Sequence, residues 1–276
     1  MAFSSLMAHL DLGASNEAVL QVTAGLAERF KASVIGVAGS QPMLIAYGDD
    51  YMSGDVVEQA RAETEAEMNE VEARFRAALH GKAAQVEWCS RISFMAVADY
   101  LAEEARAADL LITGPELAVS RFDSSRRTYI GDFVMHAGRP VLIVPPTAEA
   151  LDLASVVIGW KETRETRWAV VDALPLLREA GRVTVVEVAA EEDMAAACAH
   201  LADVVAWLGR HGITADSLAA PSASDDATRL DTIAQEKGAG LLVAGAYGHN
   251  RLREWVLGGV TRDLLLRPGR CSLVSH

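Results

Sequence analysis

Short runs of apolar residues alternate along the chain with longer segments in which apolar positions recur at helical spacing. The short runs have the composition of strands, and the longer segments have the period of helices. Alternating strands and helices predict a parallel sheet, because a parallel strand is reached from its predecessor by a helical crossover. The hydrophobic pattern therefore predicts an α/β fold.

The predicted elements fall into two sets of the same order. The first set has the strands SLMAHL (5–10), ASVIGVAG (32–39), AQVEWCS (84–90), DLLITG (109–114) and PVLIVP (140–145), with helices near 15–30, 53–80, 93–107 and 128–137. The second set has the strands SVVIGW (155–160), RVTVVEV (182–188), ITADSLA (213–219), GLLVAG (240–245) and CSLVS (271–275), with helices near 164–180, 192–211, 224–237 and 255–267. Each set predicts an open sheet of five parallel strands.

The two sets are copies of one unit that keep register with each other. ADLLITG at 108–114 aligns with AGLLVAG at 239–245, and the same spacing places Arg139 on Arg270. Near their starts the copies are offset by about 150 residues, so the first copy carries about 19 extra residues between its second and third strands. The pair Pro145 and Pro146 marks the linker, since proline cannot extend a strand ladder. We expect domains at 1–147 and 152–276.

Composition and charge narrow the classes of partner. A net charge of -13 argues against a nucleic-acid-binding protein, which needs clustered Lys and Arg. Three cysteines without a CxxC pair predict neither a disulfide framework nor a zinc site, and we expect them to be buried. The N-terminal segment does not have the pattern of a leader, and no apolar run has the length of a membrane span. The expected location is the cytoplasm.

A glycine-spaced loop follows the fourth strand of the second copy. In GAYGHNRLREWVLGGVT, the residues Gly245, Gly248 and Gly258 have the spacing G-x2-G-x9-G, and the last glycine opens a predicted helix. Glycines let backbone amides approach a ligand closely, and a helix N-terminus offers unpaired amides with positive partial charge. The loop also leaves the carboxyl end of a strand, where open α/β sheets bind ligands. This pattern favours a phosphate-binding loop.

The loop, the strand before it and the five-stranded repeat together resemble the universal stress protein family in its tandem form, over essentially the whole chain. The resemblance implies an adenine nucleotide alpha hydrolase-like fold and, as in some members, ATP bound at the loop. That loop usually ends in Ser or Thr, where this chain has Gly259; Thr261 lies slightly further on. The final strands are apolar where family members pair between subunits, so we expect an intramolecular pseudo-dimer with both edges covered.

The resemblance places the candidate ligand contacts in the second copy. They are Trp160, Lys161 and Val188 near the base or sugar, and Gly245, Gly248, His249, Arg251, Gly258, Gly259, Val260 and Thr261 around the phosphates. Lys161 stands where ATP-binding members carry an aspartate, and it cannot accept hydrogen bonds from ribose. For Trp160, packing at a strand end is an alternative to stacking on a base, and for His249 and Arg251 the alternative is an exposed loop without a ligand.

The first copy shows the opposite pattern. Asp11 ends its first strand, as in ATP-binding members, but Leu117 and Arg127 replace two of the loop glycines, with Thr128 at the hydroxyl position. Arg121, Arg126 and Arg127 suit either an anion held by side chains or a solvated basic loop. His9 precedes Asp11, but no nucleophile is placed beside it by the sequence. A lone strand histidine is usually structural.

The sequence assigns no catalytic residue and no metal ligand. It has no GxxxxGK[ST] loop, so we expect at most weak ATP hydrolysis, with Mg²⁺ present only together with the nucleotide. The resulting hypothesis is a stress-response protein that binds ATP or AMP and has a regulatory role. A ligand-free protein-interaction module with eroded sites is the alternative, and a nucleotide hydrolase or transferase is weaker because HxGH and SGGxDS motifs are absent. Expected partners are a nucleotide and an unidentified protein, without nucleic acid or membrane, for a monomeric pseudo-dimer or a homodimer.

Overall fold

The computed structural model describes residues 2–42, 54–116, 128–222, 225–246 and 269–276. Its strands are β1 Ser5–His9, β2 Ser33–Ser40, β3 Val86–Ile92, β4 Leu110–Thr113, β5 Val141–Ile143, β6 Val156–Trp160, β7 Val183–Ala189, β8 Ala215–Pro221, β9 Leu241–Gly245 and β10 Cys271–Ser275. Its helices are α1 Glu17–Phe30, α2 Gly54–Leu79, α3 Val97–Glu104, α4 Ile130–Ala137, α5 Arg164–Leu177, α6 Met194–Arg210 and α7 Asp226–Glu236. The helix predicted near 255–267 lies outside the described residues.

The described strands form one ten-stranded sheet in the order β3-β2-β1-β4-β5-β10-β9-β6-β7-β8. Neighbouring strands are parallel except at the centre, where β5 and β10 pair antiparallel with Leu142 opposite Leu273. Each half therefore keeps the predicted five parallel strands, and the last strand of each covers the edge of the other. The predicted α/β fold, with two tandem sheets as an intramolecular pseudo-dimer, is confirmed.

The core lies on both faces of this sheet and crosses from one half to the other. One layer packs α1, α2, α5 and α6 against side chains such as Leu142 and Leu273. The opposite layer packs α3, α4 and α7 against side chains such as Val141 and Val274. Successive strand residues point to opposite faces, so strands covered on both sides become continuous apolar runs, as the sequence shows.

The connections account for the difference in length between the halves. Helix α2 has 26 residues, whereas α6, its counterpart in the second half, has 17. Residues 144–155 form neither helix nor strand, in the region predicted as the linker. Arg29 in the last turn of α1 and Glu179 just after α5 form an ion pair between the two halves at 2.9 Å. The halves are thus joined by the sheet, by two core layers and by this surface contact.

The expectation that the three cysteines are buried holds for one of them. Cys271 is buried as predicted, but Cys89 is half-buried and Cys198 is exposed, because Cys198 lies on the outer side of α6. Burial raises the pKa of the Cys271 thiol to about 12.

Within the described ranges, no helix combines the length and the apolar character that crossing a membrane requires.

Candidate functional site

Each half contains a point where the chain changes direction across the sheet. Strand β1 lies between β2 and β4, and β6 lies between β7 and β9, so successive crossovers leave these strands on opposite sides. Ligands of open α/β sheets bind at such switch points, outside the carboxyl ends of the strands. We call the space at the ends of β1 and β4 the first crevice, and that at the ends of β6 and β9 the second crevice.

Small residues line the floor of the second crevice. Gly159 on β6 is paired with Ala244 on β9, and Gly245 ends β9. A Cβ atom at Gly159 would lie 2.6 Å from a methyl carbon of Leu230, and one at Gly245 would lie 2.5 Å from the backbone nitrogen of Thr166. Gly245 is therefore required by the packing of β9 against the first turn of α5. This reason is independent of any ligand.

Trp160 lies at the rim of the second crevice and is held by neighbouring side chains. The indole is half-buried against the core layer that contains α5 and α6. Its Nε1 donates a hydrogen bond to Glu162 at 3.1 Å, and Glu162 also accepts one from Arg167 at 3.3 Å. The indole N–H is therefore satisfied within the chain, which leaves the ring as the part available for a ligand.

The first turn of α5 supplies the polar wall of the second crevice. Thr163 caps this helix by accepting a hydrogen bond from the Thr166 N–H at 3.2 Å. The carboxylate of Glu165 pairs with Arg164 at 3.0 Å. Burial opposes the ionisation of Glu165, but hydrogen bonds from its own N–H and from Arg164 outweigh burial and lower its pKa. The charges of this turn are thus largely paired.

Lys161 and Val188 complete the described part of the predicted site. Lys161 is exposed and makes no ion pair within the described residues. Val188 lies near the end of β7, where Glu187 is the partner of Trp160 in the sheet. Val188 packs against the layer that contains α7, whereas Trp160 packs against the opposite layer. Lys161, Trp160 and Gly245 share one edge of the sheet, and Val188 approaches that edge from the other face.

The remaining predicted contacts fall in the glycine-spaced loop and the start of the following segment. These residues, Gly248, His249, Arg251, Gly258, Gly259, Val260 and Thr261, lie outside the described residues. Their roles therefore stay predictions from the sequence. The arginines of the first copy at 121, 126 and 127, and Leu117, also lie outside the described ranges.

Polar side chains meet at the first crevice. His9 is 2% exposed, and its Nδ1 lies 2.8 Å from the hydroxyl of Thr113 on β4. Its Nε2 lies 3.5 Å from Asp11 Oδ1 and 3.4 Å from the hydroxyl of Thr128. Burial lowers the pKa of His9, and the negative charge of Asp11 offsets only part of this effect. The imidazole is therefore neutral at pH 7.

The backbone of Asp11 is fixed by the residue that precedes α1. Asn16 accepts a hydrogen bond from the Asp11 N–H at 3.0 Å and donates one to the Asp11 carbonyl at 2.9 Å. Sequence reasoning gave His9 no partner and missed Asn16 and Thr113. Thr113 could have been found from strand register, because Ala8 pairs with Ile112 and the next residues of both strands therefore lie side by side.

The described residues offer no group of three or more His, Cys, Asp or Glu side chains arranged to hold a metal ion. The first crevice presents an enclosed carboxylate beside a neutral imidazole. The second presents a floor of small residues, an aromatic rim and an exposed lysine.

No protein-family model and no curated protein matches the sequence. Solved structures do match the fold. A universal stress protein from Archaeoglobus fulgidus DSM 4304 is 13% identical, with a TM-score of 0.73 and with 98% of this chain and 97% of that chain covered. A protein of unknown function from Pseudomonas aeruginosa PAO1 is 12% identical, with a TM-score of 0.62 over 99% and 92% of the two chains.

A third structure, of a candidate universal stress protein from Pseudomonas aeruginosa UCBPP-PA14, is 14% identical, with a TM-score of 0.55 over 99% of this chain and 93% of that chain. These likenesses extend over both halves, in agreement with the repeat in the sequence and the continuous sheet. The chain therefore has the universal stress protein fold in its tandem, two-copy form.

Proposed function

We propose that this chain is a cytoplasmic stress-response protein of the universal stress protein type, which binds an adenine nucleotide in its second crevice and acts as a regulator. The observation that carries the proposal is the second crevice itself. It joins a floor of small residues to the N-terminus of α5, and the glycine-spaced loop follows β9 directly in the sequence. Backbone amides at such places favour phosphate groups.

Local charge supports an anionic ligand despite the acidity of the whole chain. The ion pairs Arg164–Glu165 and Arg167–Glu162 largely cancel at the rim, while Lys161 remains exposed. A net charge of -13 repels polyanions at long range, but exposed charges separated by more than about 8–10 Å are screened at physiological salt. In this proposal Lys161 meets a phosphate, and a ring of the ligand packs on Trp160.

The proposed ligand is ATP or AMP, with Mg²⁺ entering only as part of the bound nucleotide. Trp160, Lys161 and Val188 contact the base, sugar or nearest phosphate. The phosphates lie against a set of residues in the glycine-spaced segment: Gly245, Gly248, His249, Arg251, Gly258, Gly259, Val260 and Thr261. Hydrolysis is at most weak, because the proposal includes no general base.

Titration calorimetry and thermal unfolding with ATP, ADP and AMP test this function. A ligand that binds only the folded state raises the free energy of unfolding, by about 2.7 kcal/mol at one hundred times its Kd. We expect Gly248→Val to abolish binding by filling the phosphate loop. Leu117→Ala, at the equivalent position of the first copy, is the matched control and should leave binding intact. Absence of any stabilisation at millimolar nucleotide would exclude the proposed ligand.

A protein-interaction module is the second candidate, and the outer face of α5 favours it. Trp168 and Val171 lie one turn apart there, with 45% and 49% of their surfaces exposed, and Arg164 stacks on the Trp168 ring at 4.8 Å. Exposed aromatic side chains with arginine are typical of interfaces. The two functions separate in Trp168→Ala: an interaction module loses association with its partner, whereas nucleotide affinity at the second crevice is unchanged.

A further inference from the structure

The carboxylate of Asp11 is enclosed by side chains from separate parts of the chain. Only 12% of the Asp11 side chain is exposed. His9 approaches it from β1, and Thr128 approaches it from the residues that precede α4, with its hydroxyl 3.5 Å from Asp11 Oδ1. Thr128 is itself buried. The carboxylate at the first crevice thus faces the protein more than the solvent.

The hydrogen-bonding capacity of the groups determines the direction of each bond. The hydroxyl of Thr128 has one proton, which it donates to Asp11, so it accepts from Nε2 of His9 at 3.4 Å, and Nε2 therefore carries the ring proton. Nδ1 of the neutral ring then accepts from the hydroxyl of Thr113 at 2.8 Å. The bonds form one chain that runs from Thr113 through His9 and Thr128 to the carboxylate of Asp11.

The same positions in the second half lack these groups. Gly159 and Ala244 are paired at the end of β6 and β9, where the first half has the imidazole of His9 and the hydroxyl of Thr113. A polar side chain with hydrogen bonds therefore occupies the end of β1 in the first half, whereas at the same place in the second half the apolar side chain of Leu230 packs over Gly159. The halves share a fold but differ in what occupies the switch point.

We propose that Asp11, His9 and Thr128 form an internal lock that closes the first crevice to ligands, so that the chain binds one ligand rather than two. A ligand in the first crevice would have to displace the buried Thr128 hydroxyl from the largely enclosed carboxylate to which it donates. Displacing satisfied buried groups costs the hydrogen bonds they make. The inference that the chain binds one ligand rests on the proposed function of the second crevice. The inference that the lock exists does not depend on that function.

A double-mutant cycle tests the lock without any ligand. Thr128→Val keeps the shape of the side chain and removes the hydroxyl, and we expect it to lower the melting temperature by about 2–4 °C, the effect of one hydrogen bond in a chain of this size. In the background of Asp11→Ala the same change should have a smaller effect, because the Thr128 hydroxyl has lost its carboxylate acceptor and keeps only its contact with His9. Thr214→Val, at an exposed threonine, is the control. Equal losses in both backgrounds, or no loss in either, would overturn the lock.

Nuclear magnetic resonance gives an independent view of the same contacts. In the wild type we expect the His9 ring to be the neutral form with its proton on Nε2, with its signals assigned by their loss in His9→Gln. A proton on Nδ1 instead would contradict the assigned chain of bonds. This measurement also separates a broken lock from a variant that has simply unfolded.

Calorimetry with ATP and with AMP then tests the stoichiometry. We expect one equivalent per chain, an unchanged Kd in Asp11→Ala and loss of binding in Gly248→Val. If the wild type binds two equivalents of nucleotide, or if Asp11→Ala binds one equivalent fewer than the wild type, the first crevice is open and the inference is overturned. If no nucleotide binds the wild type, the proposed function fails, while the double-mutant cycle still decides whether the lock exists.

Discussion

Gly245 ends β9 at the point where the first turn of α5 packs against it. Any side chain there meets backbone atoms of Glu165 and Thr166 rather than the movable end of a side chain. The strand and the helix must separate to accept even one methyl group. Gly245, which belongs to the glycine-spaced loop in the sequence, is therefore also required by the packing of β9 on α5.

We expect Gly245→Ala to lower the free energy of unfolding by about 1–3 kcal/mol, the usual range for overpacking. Unfolding in urea, followed by circular dichroism, measures the change. Gly25→Ala is the control, because a Cβ at that position in α1 would meet nothing within 4 Å. Alanine should stabilise that helix by as much as about 1 kcal/mol. An unchanged stability of Gly245→Ala would contradict the close contact.

His9 makes the stability of the first half depend on pH. Burial lowers its pKa in the folded state, with Asp11 the charged group that faces it, so below pH 6.5 the unfolded chain binds more protons than the folded one. The free energy of unfolding therefore falls as the pH drops through and below about 6.5, with a slope of at most about 1.4 kcal/mol per pH unit. Urea titrations between pH 5 and about 8 measure this slope.

We expect His9→Gln to remove this contribution to the slope, whatever it does to stability at neutral pH. A slope that is the same in His9→Gln and in the wild type would show that folding does not lower the pKa of this imidazole.

At the scale of elements, the pairing of β5 with β10 is the contact on which the arrangement of the halves depends. The strands run antiparallel with three residue pairs in register, centred on Leu142 and Leu273. Both side chains are fully buried in the core layer of α1, α2, α5 and α6. Each strand would otherwise be an exposed apolar edge, which is prone to pair with another chain.

Leu273→Ala should therefore destabilise both halves, by about 2–5 kcal/mol as for other buried leucines. Hydrogen exchange measures the effect, and we expect amides of β1 and of β6 to lose protection together. Leu218→Ala, in the half-buried edge strand β8, is the control and should cost less. Loss of protection confined to the second half would mean that the two halves unfold separately.

The strands were predictable because burial on both faces leaves a simple apolar pattern, and each observed strand overlaps its predicted run. Helix ends were less predictable. The segment predicted as a helix near 93–107 forms α3 only over Val97–Glu104, followed by a short tight turn at Ala105–Ala107. Gln41 donates hydrogen bonds to the carbonyls of Phe94 and Met95, which holds the chain before α3 out of the helix. Such a contact between distant residues leaves no local pattern.

At the scale of the whole molecule, duplication of a unit has produced two crevices with different contents. The sequence shows the difference in the loops: glycines in the second copy, larger residues in the first. The structure adds a difference in the floors, with His9 and Thr113 on one side and Gly159 and Ala244 on the other. A pseudo-dimer can in this way keep the symmetric sheet that stabilises it while its two crevices diverge.

The sequence by itself determined the α/β class, the two copies and the glycine-spaced loop, because apolar period, internal repeat and glycine spacing are all local patterns. Only the tertiary structure decided that Gly245 packs on Thr166, that Trp160 and Val188 lie on opposite faces, and that Thr128 reaches Asp11. The physical reason is distance along the chain. Thr128 and Asp11 are separated by 117 residues, and the packing of α4 on the sheet that contains β1 and β4 brings them together.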